Sequence, residues 1–92
     1  MQIWRFKLSG LKMQKIEMPK EASILCVQTK DGEPCLWAEV NPNAPKEDRV
    51  IEVFGTGHDI PCDMGIHRRY IGTFQIGSPL GTLVFHVYER IN

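Results

Sequence analysis

The chemically capable side chains of this chain cluster in the sequence GTGHDIPCDMGIHRR, which separates two apolar runs. Thr56 and His58 can donate hydrogen bonds, and Gly57 lets the backbone approach a bound molecule. Successive backbone amides attract anions, and the guanidinium groups of Arg68 and Arg69 can fork onto phosphate or carboxylate. The stretch therefore predicts a pocket for an anion. The structural alternative is a two-glycine turn in which His58 caps a carbonyl group and both arginines are solvated.

Metal binding and catalysis are less well supported by the same stretch. Five residues of types that bind metals fall close together, namely His58, Asp59, Cys62, Asp63 and His67. Their spacing fits no zinc pattern, so we expect no metal and no cofactor. Cys62 has no base at a fixed spacing, and no GxSxG, HExxH or P-loop motif occurs. We therefore expect no catalytic residue and a binding protein rather than an enzyme, with a hydrolase that uses His58 and His86 as an alternative.

Aromatic side chains add a means of holding a planar ring. Trp37 lies on the side of its run opposite Leu36 and Ala38, so it either faces outward, where it can stack on a base or a partner, or is core in a strand buried on both faces. Tyr70 follows the arginine pair directly. The predicted ligand-binding residues are Thr56, Gly57, His58, Arg68, Arg69, Trp37 and Tyr70.

Composition and charge narrow the class of protein. Eleven basic and eleven acidic residues cancel, which disfavours binding to duplex nucleic acid or to an anionic membrane. Cys26, Cys35 and Cys62 are odd in number and form no CxxC motif, which argues against a disulfide scaffold and for a reducing cytoplasm. No run approaches the length of a membrane span. We expect one domain, residues 1–92, small enough for a homo-oligomer to add needed buried surface.

Alternation of apolar and polar residues predicts strands, and helical periodicity is nearly absent. The alternating runs are 3–8, 14–18, 23–29, 34–40, 49–55, 69–76 and 82–90. Asp31-Gly32 predicts a hairpin, and NPNAPKED predicts a loop that crosses between sheets. In the sixth run Tyr70 shares a side with Phe74. We expect a single small antiparallel β-sandwich or barrel of about seven strands, with one short helical turn as an option in 59–68.

Four short landmarks occur in order along the chain: EMP at 17–19, LWA at 36–38, GTGH at 55–58 and FHV at 85–87. With these landmarks the chain resembles, over nearly its whole length, a phage-encoded family of small proteins of unknown function. The resemblance implies a phage origin and a cytoplasmic product but no particular activity. The chain is also similar in size to phage oligomers that trap immune signals of the host without cleaving them, which is an analogy only.

These observations lead to one function hypothesis and two alternatives. The hypothesis is a non-catalytic, homo-oligomeric sponge that sequesters a nucleotide-derived immune signal, of the cyclic oligonucleotide or ADP-ribose type, in the host cytoplasm. The first alternative is a protein-binding module that inhibits or adapts a host protein through a face carrying Trp37 and Tyr88. The second is a His-dependent nucleotide hydrolase.

Overall fold

The computed structural model describes residues 1–62 and 65–91 and is all-β. Its strands are β1 (Gln2–Lys7), β2 (Met13–Pro19), β3 (Ser23–Lys30), β4 (Glu33–Val40), β5 (Lys46–Gly55), β6 (Arg68–Ser78) and β7 (Gly81–Arg90). The seven predicted strands are confirmed, with β5 beginning at Lys46 rather than at Arg49. No helical turn occurs in the described part of 59–68, and Asp63 and Met64 of that segment lie outside the described residues.

The strands form two antiparallel sheets that pack face to face. The three-stranded sheet has the order β1-β4-β3, and the four-stranded sheet has the order β2-β5-β7-β6. The largest buried cluster between them comprises Leu8, Val27, Leu36, Ile51, Phe74 and Val87. The predicted sandwich is thus confirmed. Along one side β3 approaches β6, where the Thr29 hydroxyl donates to the Gln75 carbonyl oxygen at 3.4 Å.

Strand alternation places the expected side chains in the core, because successive residues of a strand point to opposite faces of the sheet. In β4, Leu36, Ala38 and Val40 are fully buried, whereas Trp37 is only half-buried and Glu39 is exposed. Ile51 and Val87 supply the matching core positions of β5 and β7. No helix long and apolar enough to cross a bilayer occurs among the residues that the structure describes.

One strand departs from simple alternation. The pairing of β6 with β7 shifts between Tyr70 and Gly72, so that Tyr70 lies opposite Tyr88 while Gly72 lies opposite Val87. Such a β-bulge inserts one residue and reverses which face the following side chains occupy. The prediction that Tyr70 shares a side with Phe74 is therefore wrong. Tyr70 stands on the outer face and is about half exposed, whereas Phe74 is core.

The two predicted turns are present with the expected chemistry. Asp31 and Gly32 join β3 to β4 with φ angles of 53° and 80°, as a two-residue hairpin with both central residues at positive φ requires. The NPNAP segment carries the chain from the three-stranded to the four-stranded sheet. Within it the Asn41 side-chain oxygen accepts a hydrogen bond from the Asn43 amide at 3.1 Å.

A buried ion pair closes the end of the sandwich where β5 begins. The Arg49 guanidinium donates to both carboxylate oxygens of Glu89 and to the Ala22 carbonyl oxygen, the last at 2.9 Å. The Arg49 side chain is 14% exposed and that of Glu89 is 7% exposed. Hydrogen bonding to Glu89 raises the pKa of Arg49, against the opposing effect of burial. The pair bridges β5 and β7 at this end.

We predict that R49M destabilises the fold by about 3 kcal/mol, because it leaves the Glu89 carboxylate buried without its main counter-charge. The double variant R49M/E89L should recover most of that loss, since it removes both charges together. Urea unfolding measures both effects. As a control, K7M breaks the exposed Lys7–Glu33 pair and should cost less than about 1 kcal/mol. A double variant no more stable than R49M would contradict this account.

Candidate ligand-binding site

The polar stretch that follows β5 is long because of the sheet topology. β7 lies between β5 and β6 and is antiparallel to both, so β5 and β6 run parallel. A connection between parallel strands must return along the length of the sheet, which takes about ten or more residues. Residues 56–67 make this return from the end of β5 to the start of β6. Their number therefore follows from the topology and is not by itself evidence of function.

Arg68 anchors this connection to the outer face of the four-stranded sheet. Its Nε donates to Glu52 Oε1 at 2.8 Å, and one terminal nitrogen donates to the Pro61 carbonyl oxygen at 2.7 Å. The guanidinium carbon also lies 5.7 Å from the centre of the Phe54 ring. The Arg68 and Glu52 side chains are 11% and 9% exposed. This guanidinium is engaged with the protein's own carboxylate, carbonyl and aromatic groups.

Arg69 lies on the opposite face of β6, since neighbouring residues of a strand alternate. A terminal nitrogen of Arg69 is 3.4 Å from Glu89 Oε1, within the network of Arg49. It borders a cavity of about 470 Å³ whose lining also includes Glu47, Asp48 and Arg90. Charges of both signs line this cavity. It offers no net attraction for an anion.

The expectation that Arg68 and Arg69 form one anion pocket is therefore corrected. The two guanidinium groups point to opposite faces of the sheet and pair with Glu52 and Glu89. The sequence shows the arginine pair but does not show which distant carboxylates the fold brings to it. Thr56 and Tyr70, in contrast, are brought into one hydrogen-bonded row.

That row runs across the outer face of β5, β7 and β6. The Thr56 hydroxyl lies 2.7 Å from His86 Nε2, and His86 Nδ1 lies 3.3 Å from the Thr73 hydroxyl. The Tyr70 hydroxyl bonds to the Thr73 hydroxyl in turn. The alternation of β7 places the His86 side chain on the outer face, where its ring nitrogens contact the hydroxyl groups of Thr56 and Thr73. Thr73 was not predicted, because only the register of β6 on β7 places it opposite His86.

The GTGH turn holds His58 against the end of β5. The His58 amide donates to the Gly55 carbonyl oxygen at 3.0 Å, and Gly57 adopts a φ of +88°, a conformation that residues with a side chain rarely adopt. A Cβ atom on Gly55 would lie 2.9 Å from the His58 ring. The close approach of the ring therefore requires glycine at this position.

His58 stands at the rim of an apolar cavity between the two sheets, at the end of the sandwich where β5 ends. The cavity has a volume of about 310 Å³ and is lined by Leu8, Pro34, Val53, Phe74, Ile76 and Phe85, with Lys12 and Ser9 from the β1–β2 connection. The Phe74 and Phe85 rings stack with their centres 5.3 Å apart and form an aromatic wall. Apolar walls with a few polar groups at the mouth are typical of small-molecule sites.

The sequence analysis missed Lys12, Phe74 and Phe85 as site residues. Alternation identifies the two phenylalanines as inward-facing, but it cannot show that the space beside them stays open. Lys12 lies in a connection with no motif, so nothing in its neighbourhood pointed to a site. These three residues come from separate parts of the chain and meet along the four-stranded sheet. Phe74 and Phe85 are cross-strand partners in it, and the Lys12 carbonyl oxygen accepts a hydrogen bond from the Val53 amide at 2.8 Å.

The two aromatic residues of the predicted protein-binding face lie far apart in the fold. Trp37 stands on the outer face of the three-stranded sheet, whereas Tyr88 stands on the outer face of the four-stranded sheet, 5.2 Å from the Tyr70 ring. A single face carrying both Trp37 and Tyr88 is therefore not formed. For the same reason Trp37 cannot join His58 or Tyr70 in one site of the monomer.

Among the described residues, the side chains of this stretch that could bind a metal ion do not come together either. Within residues 1–62 and 65–91, no three His, Cys, Asp or Glu side chains come together as a potential metal site. Asp63 lies outside this part of the chain.

Comparison with known proteins identifies a family over the full length of the chain. Residues 1–92 match the family described as Domain of unknown function (DUF7352). No curated protein and no solved structure matches the chain. The expectation of a whole-chain family of unknown function is confirmed.

We predict that the two neighbouring arginines behave differently. R68M should lower the free energy of unfolding by about 3 kcal/mol, because it leaves Glu52 buried without its closest counter-charge, and it should speed cleavage of the β5–β6 connection by thermolysin. R69M should cost less than about 1 kcal/mol, because Arg69 is 55% exposed and Glu89 keeps Arg49. Equal effects of the two variants in urea unfolding would contradict the anchoring role of Arg68.

Proposed function

Because the chain belongs to the Domain of unknown function (DUF7352) family, we propose its function from its own geometry: a non-catalytic protein that binds a small nucleotide-derived anion. The observation that carries the proposal is the apolar cavity of about 310 Å³ with His58 and Lys12 at its mouth. Its volume lies at the lower end of the range of small-molecule sites. Such a volume suits one base of a nucleotide-derived ligand, with the rest of the ligand outside the mouth.

The two parts of a nucleotide match the two parts of the site. A base packs against the aromatic wall of Phe74 and Phe85, where stacking is worth about 1–3 kcal/mol per base. Phosphate groups remain at the mouth beside Lys12, His58 and the GTGH turn. Lys12 takes over the role that the sequence suggested for Arg68 and Arg69, since both guanidinium groups are paired with carboxylates.

The ligand class that we propose is an immune signal of a phage's host, of the cyclic oligonucleotide or ADP-ribose type, held in the cytoplasm without cleavage. The resemblance to phage-encoded proteins and the need of a sponge for burial rather than for a nucleophile support this assignment. Sequestration requires an affinity high enough to deplete a scarce molecule, and burial of a base against apolar walls contributes to such an affinity.

Isothermal titration calorimetry against cyclic dinucleotides, cyclic trinucleotides and ADP-ribose isomers tests the proposal. At least one class should bind with a dissociation constant in the micromolar range or below. H58A should weaken that binding about tenfold, equivalent to about 1.4 kcal/mol, by removing a donor at the mouth. F85L should weaken it to a similar degree by removing half of the aromatic wall.

H86A provides the matched control, because His86 belongs to the hydroxyl row on the outer face and does not line the cavity. Its affinity should equal that of the unmodified protein. If none of the ligands gives a heat of binding, the proposal is wrong. If H86A loses binding and H58A does not, the ligand binds to the outer face instead of the cavity.

One contact favours a hydrolase as the second candidate. Thr56 and His86 stand at the distance of a nucleophile and its general base, and Thr73 orients the other ring nitrogen. The orienting group is a hydroxyl rather than a carboxylate, and the Thr56 hydroxyl also bonds to the Val84 carbonyl oxygen at 3.3 Å. Both features weaken the general base and the nucleophile relative to a Ser-His-Asp arrangement.

Incubation with the same nucleotides, followed by chromatography, separates the two candidates. A binder returns the ligand intact after denaturation. A hydrolase yields products with the unmodified protein and with T56S, and loses at least about a hundredfold in rate in T56V and H86A. Equal turnover by H86A would exclude this mechanism.

A further inference from the structure

The outer face of the three-stranded sheet carries apolar side chains that lie open to solvent. Ile3 is 61% exposed and Leu25 is 50% exposed. Trp37 lies between their strands, half-buried, and its indole nitrogen has no hydrogen-bond partner in the described part of the chain. The outer face of the four-stranded sheet is different, because the β5–β6 connection bonds to it. A half-buried tryptophan with exposed aliphatic neighbours is typical of a binding surface.

Two charged residues on this face lack an ion-pair partner among the described residues. Arg5 and Glu39 are both exposed and on neighbouring strands, yet neither takes part in a salt bridge there. On the same face, Lys7 and Glu33 do form an ion pair, at 2.9 Å.

The register of β1 on β4 gives these residues a regular arrangement. Ile3 lies opposite Glu39, and Arg5 lies opposite Trp37. With strands about 4.8 Å apart and same-face neighbours about 6.7 Å apart, the four residues occupy the corners of a near-rectangle. The apolar pair stands on one diagonal, and the opposite charges stand on the other.

We propose that this face binds a second copy of the chain across a two-fold axis that runs along the Ile3–Trp37 diagonal. Such an axis brings each of the other two corners close to the position of the other, so the long side chain of Arg5 in each protomer reaches the partner's Glu39. Ile3 and Trp37 then pack on the same residues of the second copy. A two-fold interface must be complementary to itself, and a face with its opposite charges arranged about an apolar diagonal meets that requirement. An unrelated partner would not require this symmetry.

The dimensions of the face indicate the strength of the dimer. Three strands at about 4.8 Å spacing and seven residues at about 3.3 Å rise span roughly 14 by 23 Å. This area is well below the about 800 Å² per partner of a standard stable interface. The dimer should therefore dissociate in the micromolar range or above. This inference does not depend on the proposed ligand binding, because the cavity lies between the sheets and away from this face.

Sedimentation equilibrium over a range of concentrations tests the dimer with the full-length chain. The unmodified protein should show a reversible monomer–dimer equilibrium. R5E and E39R should each weaken the dimer at least about tenfold, because each places like charges together in both copies of the contact. An equimolar mixture of R5E and E39R should recover dimers, since the mixed pair opposes Glu to Arg at both contacts. The double variant R5E/E39R should recover them as well.

K15E is the matched control, because it makes the same charge change as R5E on β2 of the other sheet and should leave the equilibrium unchanged. Recovery in the mixture identifies the second copy as the occupant, since no other partner predicts it. The proposal is overturned if the protein stays monomeric up to about 1 mM, the limit of a weak interface. It is also overturned if the single variants dimerise normally, or if the mixture and the double variant remain as weak as the single variants.

Discussion

The structure depends on the return of the chain across the outer face of the four-stranded sheet between β5 and β6. β7 separates these two parallel strands, so the connecting chain must travel the length of the sheet before β6 can begin. The Glu52–Arg68 pair anchors the connection where it arrives, and Phe54 packs beneath the guanidinium. A carboxylate at that depth is tolerated because its counter-charge arrives with the connection. The polar connection between β5 and β6 therefore serves first to cover the outer face of the four-stranded sheet.

The two ends of the sandwich differ in the side chains that line the space between the sheets. Where β5 begins, the hydrogen-bonded Arg49–Glu89 pair lies at the cavity of that end, whose lining carries charges of both signs. Where β5 ends, the gap stays apolar and open, and the GTGH turn with His58 stands at its mouth. Side chains that line an unfilled apolar space lack part of their dispersion contacts. A ligand with an apolar ring would restore those contacts, which is why the cavity, and not the arginine pair, carries the proposed function.

The two outer faces differ in the same way. The four-stranded sheet is covered in part by its own connection, and its remaining polar groups are linked in the row from Thr56 to Tyr70. The three-stranded sheet keeps Ile3, Leu25 and Trp37 near solvent. A chain of this size buries a modest share of its surface when folded alone. Self-association through the uncovered sheet would add buried apolar area without disturbing the cavity.

By itself the sequence determined the strands, the hairpin at Asp31-Gly32 and the inward faces of β4 and β7, because these depend on local conformational preference and on the two-residue period of a strand. For GTGH it left two interpretations open, a ligand-binding segment and a two-glycine turn. Only the tertiary structure decided that Arg68 and Arg69 pair with Glu52 and Glu89, that a bulge moves Tyr70 to the outer face, and that Lys12 joins Phe74 and Phe85 around a cavity. Those outcomes depend on which strands lie side by side and in what register. The local sequence around a residue does not indicate which residue distant along the chain will contact it.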